Sequence, residues 1–126
     1  MAPALRLMLG FSLLAIGCLF LVASAHAEEE DVIHARVTFY PLRGVMASGV
    51  YTHPDAAACS RWMPFGTQLR FPDGFVVTCL DRGLGDRYWS AWIDIWSPSY
   101  QWGLLNVERD YGLWTDVSVV RWGWGE

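Results

Sequence analysis

Apolar and polar positions along the chain mark out a series of short extended runs separated by turn residues. VIHARVTFY (32–40) is rich in β-branched and aromatic residues and predicts a strand ended by Pro41. RGVMASG and VYTHPD, which follow, are turn-rich and predict loop. TQLRF (67–71), Pro72-Asp73-Gly74 and FVVTCLD (75–81) predict a hairpin. DRGLGDR (81–87) predicts loop and AWIDIW (91–96) another strand. Ser97 followed by Pro98 has the form of a helix cap and first helical residue, so SPSYQWGLL predicts a short helix. DVSVVRWGW (116–124) then predicts a closing strand. Short strands with one or two brief helices imply a mostly-β protein, a small closed barrel.

Side-chain alternation along AWIDIW brings in the first chemistry. Trp92, Asp94 and Trp96 project to one face, and Ala91, Ile93 and Ile95 to the other, which is the natural core. Asp94 is therefore expected between two indoles. Such a carboxylate can grip a sugar, with the rings stacked on its C–H faces. It can also be partly desolvated, so that its pKa rises toward the general-acid range. The alternative is a minor aromatic cluster under a loop, with Asp94 bonding backbone N–H groups. Asp81 stands where a strand gives way to DRGLG, and there an aspartate commonly bonds its own turn. Arg82 is either its ion partner or a ligand clamp, while Asp86 and Arg87 read as solvated loop residues.

Composition narrows the setting. A single Arg6, a long apolar stretch and the small residues Ala25 and Ala27 predict a secretory signal over residues 1–27. The apolar run approaches the ~18 residues of a membrane span, so an uncleaved anchor stays open as the one membrane association expected. Acylation of Cys18 is disfavoured, because LFLVA continues the apolar run beyond it. After an acidic leader (28–34), residues 35–124 form one domain. Without Arg6 there are 8 arginines, no lysine and 13 acidic residues, a net charge of about −5. That balance disfavours nucleic acid and anionic membrane surfaces as partners. Cys59 and Cys79 are an even pair in an exported chain and predict a disulfide, with a free nucleophilic cysteine served by His53 as the alternative. His34 and His53 have no metal-ligand spacing, and no phosphate loop or serine elbow is present, so neither metal nor cofactor is expected.

Four blocks in order resemble known families. MASGVY (46–51), WMPFGTQLRF (62–71), DRG (81–83) and WIDIWSPS (92–99) are similar to segments of the rare-lipoprotein-A family. They also resemble the Asp-Asp-Asp domain of membrane-bound lytic transglycosylase A and cell-wall-associated proteins. The likeness spans residues 35–122. It implies a six-stranded double-psi β-barrel, secreted, periplasmic or in the cell envelope, and monomeric, whose partner is the glycan strand of peptidoglycan. In those transglycosylases one aspartate protonates the bond between N-acetylmuramic acid and N-acetylglucosamine. It then takes the muramyl 6-hydroxyl proton, leaving a 1,6-anhydro end. By position, Asp94 matches that aspartate and Asp81 the aspartate of Asp-Arg-Gly, so these two are the expected catalytic residues. Trp89, Trp92, Trp96, Arg82 and Ser48 are the expected substrate-binding residues. The chain departs from the pattern where the earlier aspartate falls at Cys59 and the expected histidine at Ser60; His53 is a possible substitute. Catalysis, glycan binding without catalysis, and a disulfide-braced interaction domain therefore all remain open at this level.

Overall fold

In the computed structural model, residues 29–83 and 91–124 are described. The segment 1–27, expected as a secretory signal, and Asp86, Arg87 and Trp89 lie outside them. Six strands form: β1 (Val32–Tyr40), β2 (Ala56–Cys59), β3 (Gln68–Arg70), β4 (Val76–Asp81), β5 (Ala91–Trp96) and β6 (Trp114–Arg121). They close a barrel in the order β1-β5-β2-β4-β3-β6. Neighbours β1 and β5 run parallel, as do β2 and β4; the other pairs are antiparallel. The expected closed six-stranded barrel is thus present.

Alternation sends Val37, Ala57, Leu69, Val77, Ile93 and Val117 into a common interior. Cys59 and Cys79 join this interior and form the disulfide, with Cα atoms 5.5 Å apart. Both sulfurs are consumed by the bond, so neither cysteine is a nucleophile for His53 to activate. The bond fits an oxidising compartment. Among the described residues no helix is long and apolar enough to cross a membrane.

β2 has no counterpart in the sequence reading. AAAC consists mainly of a poor strand former, and all four residues are buried. A strand covered on both faces shows no polar alternation, so the neighbours β4 and β5 decide its state. β6 begins at Trp114, earlier than expected. The helix is also displaced: Ser99, not Ser97, is its N-cap, accepting from Trp102 N. Ser97 is buried, and its hydroxyl instead donates to Ser99 O. The helical segment runs as α1 (Tyr100–Gly103), a π-helical turn (Leu104–Glu108) and α2 (Arg109–Tyr111), and stops at Gly112, whose φ of 65° favours glycine.

Gly103 is where this helix meets the barrel. A Cβ there would lie 2.1 Å from the Phe39 ring of β1. Alanine is the better helix former by about 1 kcal/mol, yet Gly103→Ala is expected to destabilise the protein by about 1–3 kcal/mol through overpacking. Urea denaturation measures the difference; a gain in stability would show that the helix does not seat on Phe39.

Outside the barrel, the loop between β1 and β2 folds back upon it. Met46, Ala56, Leu80 and Trp96 form a second apolar cluster with Tyr40 against it. Met46 N donates to Val50 O at 2.8 Å and Thr52 N to Gly44 O at 2.9 Å, so the loop is a closed excursion. Ser48 N reaches Leu80 O at 3.0 Å and ties it to β4.

Candidate active site

Register brings the two aspartates together. Thr38 of β1 pairs with Asp94 of β5, Asp94 pairs with Ala58 of β2, and Ala58 pairs with Asp81 of β4. Four adjacent strands thus contribute one row on the outer face. Two strand spacings separate the aspartate backbones, roughly 10 Å. Ala58, the register partner of both, stands between them, and its methyl group lines the floor of a cleft.

Simple alternation would not do this. Val77 and Cys79 face the interior, so an unbroken β4 would turn Asp81 inward as well. A β-bulge intervenes: Ala57 pairs with Cys79, but the next residue, Ala58, pairs with Asp81. The extra residue re-aims Asp81 outward, toward Asp94.

The cleft holds about 340 Å³, at the small end of the range for ligand sites, about 300–1,000 Å³. Asp81, Asp94 and Ala58 line it from the strands, Arg82 from the residue after β4, and Tyr40, Arg43, Val45 and Thr52 are among the residues that wall it from β1 and the β1–β2 loop. Asp81 is held by three donors: Tyr40 OH to Oδ2 at 3.1 Å, and the N–H groups of Ala47 and Arg82 to Oδ1 at 2.9 and 2.8 Å. Burial, followed by the charge and hydrogen bond of Asp81, pushes the Tyr40 hydroxyl well above its ordinary pKa, so it remains a donor.

Asp94 has a different environment. Its Oδ1 accepts from Thr38 Oγ1 at 2.8 Å, and Trp92 Nε1 in turn donates to that oxygen at 2.8 Å. Burial raises the Asp94 pKa from 3.8 to about 6; the Thr38 bond opposes the rise and the charge of Asp81 adds to it. A carboxyl whose pKa is raised to about 6 shares one cleft with the hydrogen-bonded side chain of Asp81, which is an arrangement suited to acid/base chemistry.

The other expected site residues divide. Arg82 lines the cleft, with its guanidinium 4.0 Å from the Phe65 ring and Nη1 3.4 Å from Cys59 O. Trp92 is half-buried beneath Arg36 and supports Thr38 rather than walling the cleft. Trp96 is only 4% exposed, and its indole N–H donates to Leu42 O, so it anchors the loop and offers no stacking face. Among the described residues, loop side chains and not the indoles of AWIDIW wall the cleft. Alternation aimed both rings outward, but the loop then covered one and Arg36 the other. Ser48 binds β4 through its backbone and does not line the cleft. His53 bonds Pro54 O and is likewise absent from the lining, while Ser60 is buried, its Oγ accepting from Trp92 N at 2.9 Å. Neither replaces the missing polar partner.

Sequence reasoning missed Thr38, Tyr40 and Ala58. Thr38 and Tyr40 alternate outward with His34 and Arg36 in VIHARVTFY, a signal present in the sequence; what they would face was not. Among the described residues no cluster of metal-ligating side chains occurs. No protein-family model, curated protein or solved structure matches the chain.

Proposed function

We propose that the protein is an exported, peptidoglycan-active enzyme that cleaves the bond between N-acetylmuramic acid and N-acetylglucosamine by lytic transglycosylation. The observation that carries this reading is the convergence of Asp94 and Asp81 on one open cleft, across Ala58. Protonated Asp94 donates to the glycosidic oxygen as the C1–O bond breaks. Asp81 faces the positive charge that develops at C1. The Asp94 carboxylate then removes the proton of the muramyl 6-hydroxyl as O6 bonds to C1, closing the 1,6-anhydro ring and restoring the acid. A group that serves first as acid and then as base needs a pKa near the working pH, and about 6 meets that need. Because the starting form is the protonated one, turnover falls as pH rises through about 6.

Incubating the domain with purified cell-wall sacculi and analysing the soluble products by mass spectrometry tests the proposal. Fragments with 1,6-anhydro ends are the expected result. Fragments with ordinary reducing ends would assign hydrolysis instead. A second reading, a glycan-binding module without catalysis, is favoured by one observation: Cys59, at the position of the third family acid, is locked in the disulfide. Sacculi that retain the protein yet yield no fragments would select it.

A further inference from the structure

One rung of the sheet away from Asp94, the outer surface carries a second group of side chains outside the cleft. Arg36 of β1 pairs with Trp92 of β5 on one side and with Trp114 of β6 on the other. Its guanidinium sits 4.4 Å over the Trp92 ring. Arg36 forms no ion pair among the described residues, and its Nε is buried without a hydrogen-bond partner. A guanidinium stacked on one indole, with Trp114 beside it in register and no ion pair among the described residues, offers its Nη fork to a carboxylate.

Beside it, Trp114 is 44% exposed and is braced rather than free. The His34 ring stacks on it at 5.3 Å and 12°, and Asp116 holds His34 at 2.7 Å. A braced indole face suits the C–H side of a sugar, and prior ordering of the ring reduces the entropy lost on binding. Along β5, Trp92 and Asp94 are two residues apart, roughly 7 Å, about the reach of one pyranose unit with its linkage. Trp114 lies on the same rung but two strands across from β5, so it is roughly 12 Å from Asp94, and a chain seated at Asp94 would reach it with its second unit along.

We infer that Arg36 and Trp114 form a subsite for a carboxylate-bearing sugar next to the acid cleft, which makes the ligand an acidic glycan rather than a neutral one. The inference rests on the proposed glycan activity and deepens it. The ring of the sugar covers Trp114 and its carboxylate meets the Arg36 fork. In peptidoglycan the carboxylate belongs to the lactyl-peptide substituent; in a uronic-acid polymer it belongs to the ring itself.

Calorimetry in the Asp94→Asn background, where no glycan is consumed, tests this with three oligosaccharides of equal length: muramyl-containing, uronic-acid and N-acetylglucosamine only. At least one acidic oligosaccharide is expected to bind more tightly than the neutral one, and which one identifies the source of the carboxylate. Arg36→Gln is expected to weaken that binding roughly tenfold, the scale of a charge-assisted hydrogen bond, and to leave the neutral sugar unchanged. Trp114→Ala, at an exposed position, is expected to weaken all three. Should Arg36→Gln not fold, Arg36→Lys keeps the charge without the fork and is expected to lose part of the preference. Equal affinity for acidic and neutral sugars, or variants that bind as the parent does, would overturn the inference. Failure of the catalytic proposal is separately visible, as an intact acidic preference without anhydro products from sacculi.

Discussion

Asp94→Asn is expected to cut glycan release by about 10²–10⁴-fold, the usual contribution of a general acid–base group, and at the same time to make the protein harder to unfold at neutral pH. The second effect follows from linkage. Asp94 has a pKa of 3.8 unfolded and about 6 folded, raised chiefly by burial. Well below pH 3.8 both states are protonated and the residue contributes its full favourable share. As pH rises from 4 to 6 the unfolded chain gives up its proton first, and stability is lost until the folded pKa is passed. Above pH 6 the folded protein carries a poorly solvated carboxylate, at a cost of about 3 kcal/mol from 1.36 kcal/mol per pKa unit. Asparagine keeps the acceptor for Thr38 and carries no charge. Its melting temperature should therefore exceed the parent's by on the order of 10 °C at pH 7.5 and converge with it near pH 3.5. Thermal unfolding of both proteins across that range is the measurement. A variant no more stable than the parent at pH 7.5 would mean that Asp94 is well solvated and not tuned for acid work.

Replacing both Cys59 and Cys79 with alanine is expected to cost about 3 kcal/mol, the loop-closure value for the 20-residue separation. Both positions lie in the barrel interior, so the lost sulfurs also leave a gap and the loss should exceed the entropic figure. Against the 5–15 kcal/mol typical of a whole domain, that is a large share. The consequence reaches the cleft as well. Cys59 adjoins Ala58, and Cys79 lies just before the bulge that turns Asp81 outward. Chemical denaturation in the presence and absence of reductant should show the drop in the parent and none in the double variant. If reduction leaves the midpoint unchanged, the bond does not brace the barrel.

How much of this was readable in advance depended on the local signal of each segment. β1, β4 and β5 were legible because β-branched and aromatic residues with period-two alternation depend only on near neighbours. Asp94 was legible for the same reason: AWIDIW sorts its faces by itself. The disulfide followed from cysteine parity in a chain read as exported. The helix position was missed by two residues because Ser97 and Ser99 are both plausible caps, and only burial of Ser97 separates them.

The pattern of apolar and polar residues determined by itself that the chain is mostly β, and that Asp94 lies on the opposite face from the core. Both are consequences of spacing along a single strand. Tertiary structure alone decided that AAAC is a strand, because its state depends on the two neighbours that cover it. It also decided that Asp81 faces Asp94, since a bulge is a property of a pair of strands and has no signature in either one. Finally, it decided which aromatic rings remain accessible: the β1–β2 loop covers Trp96, Arg36 covers Trp92, and Trp114 keeps an exposed face.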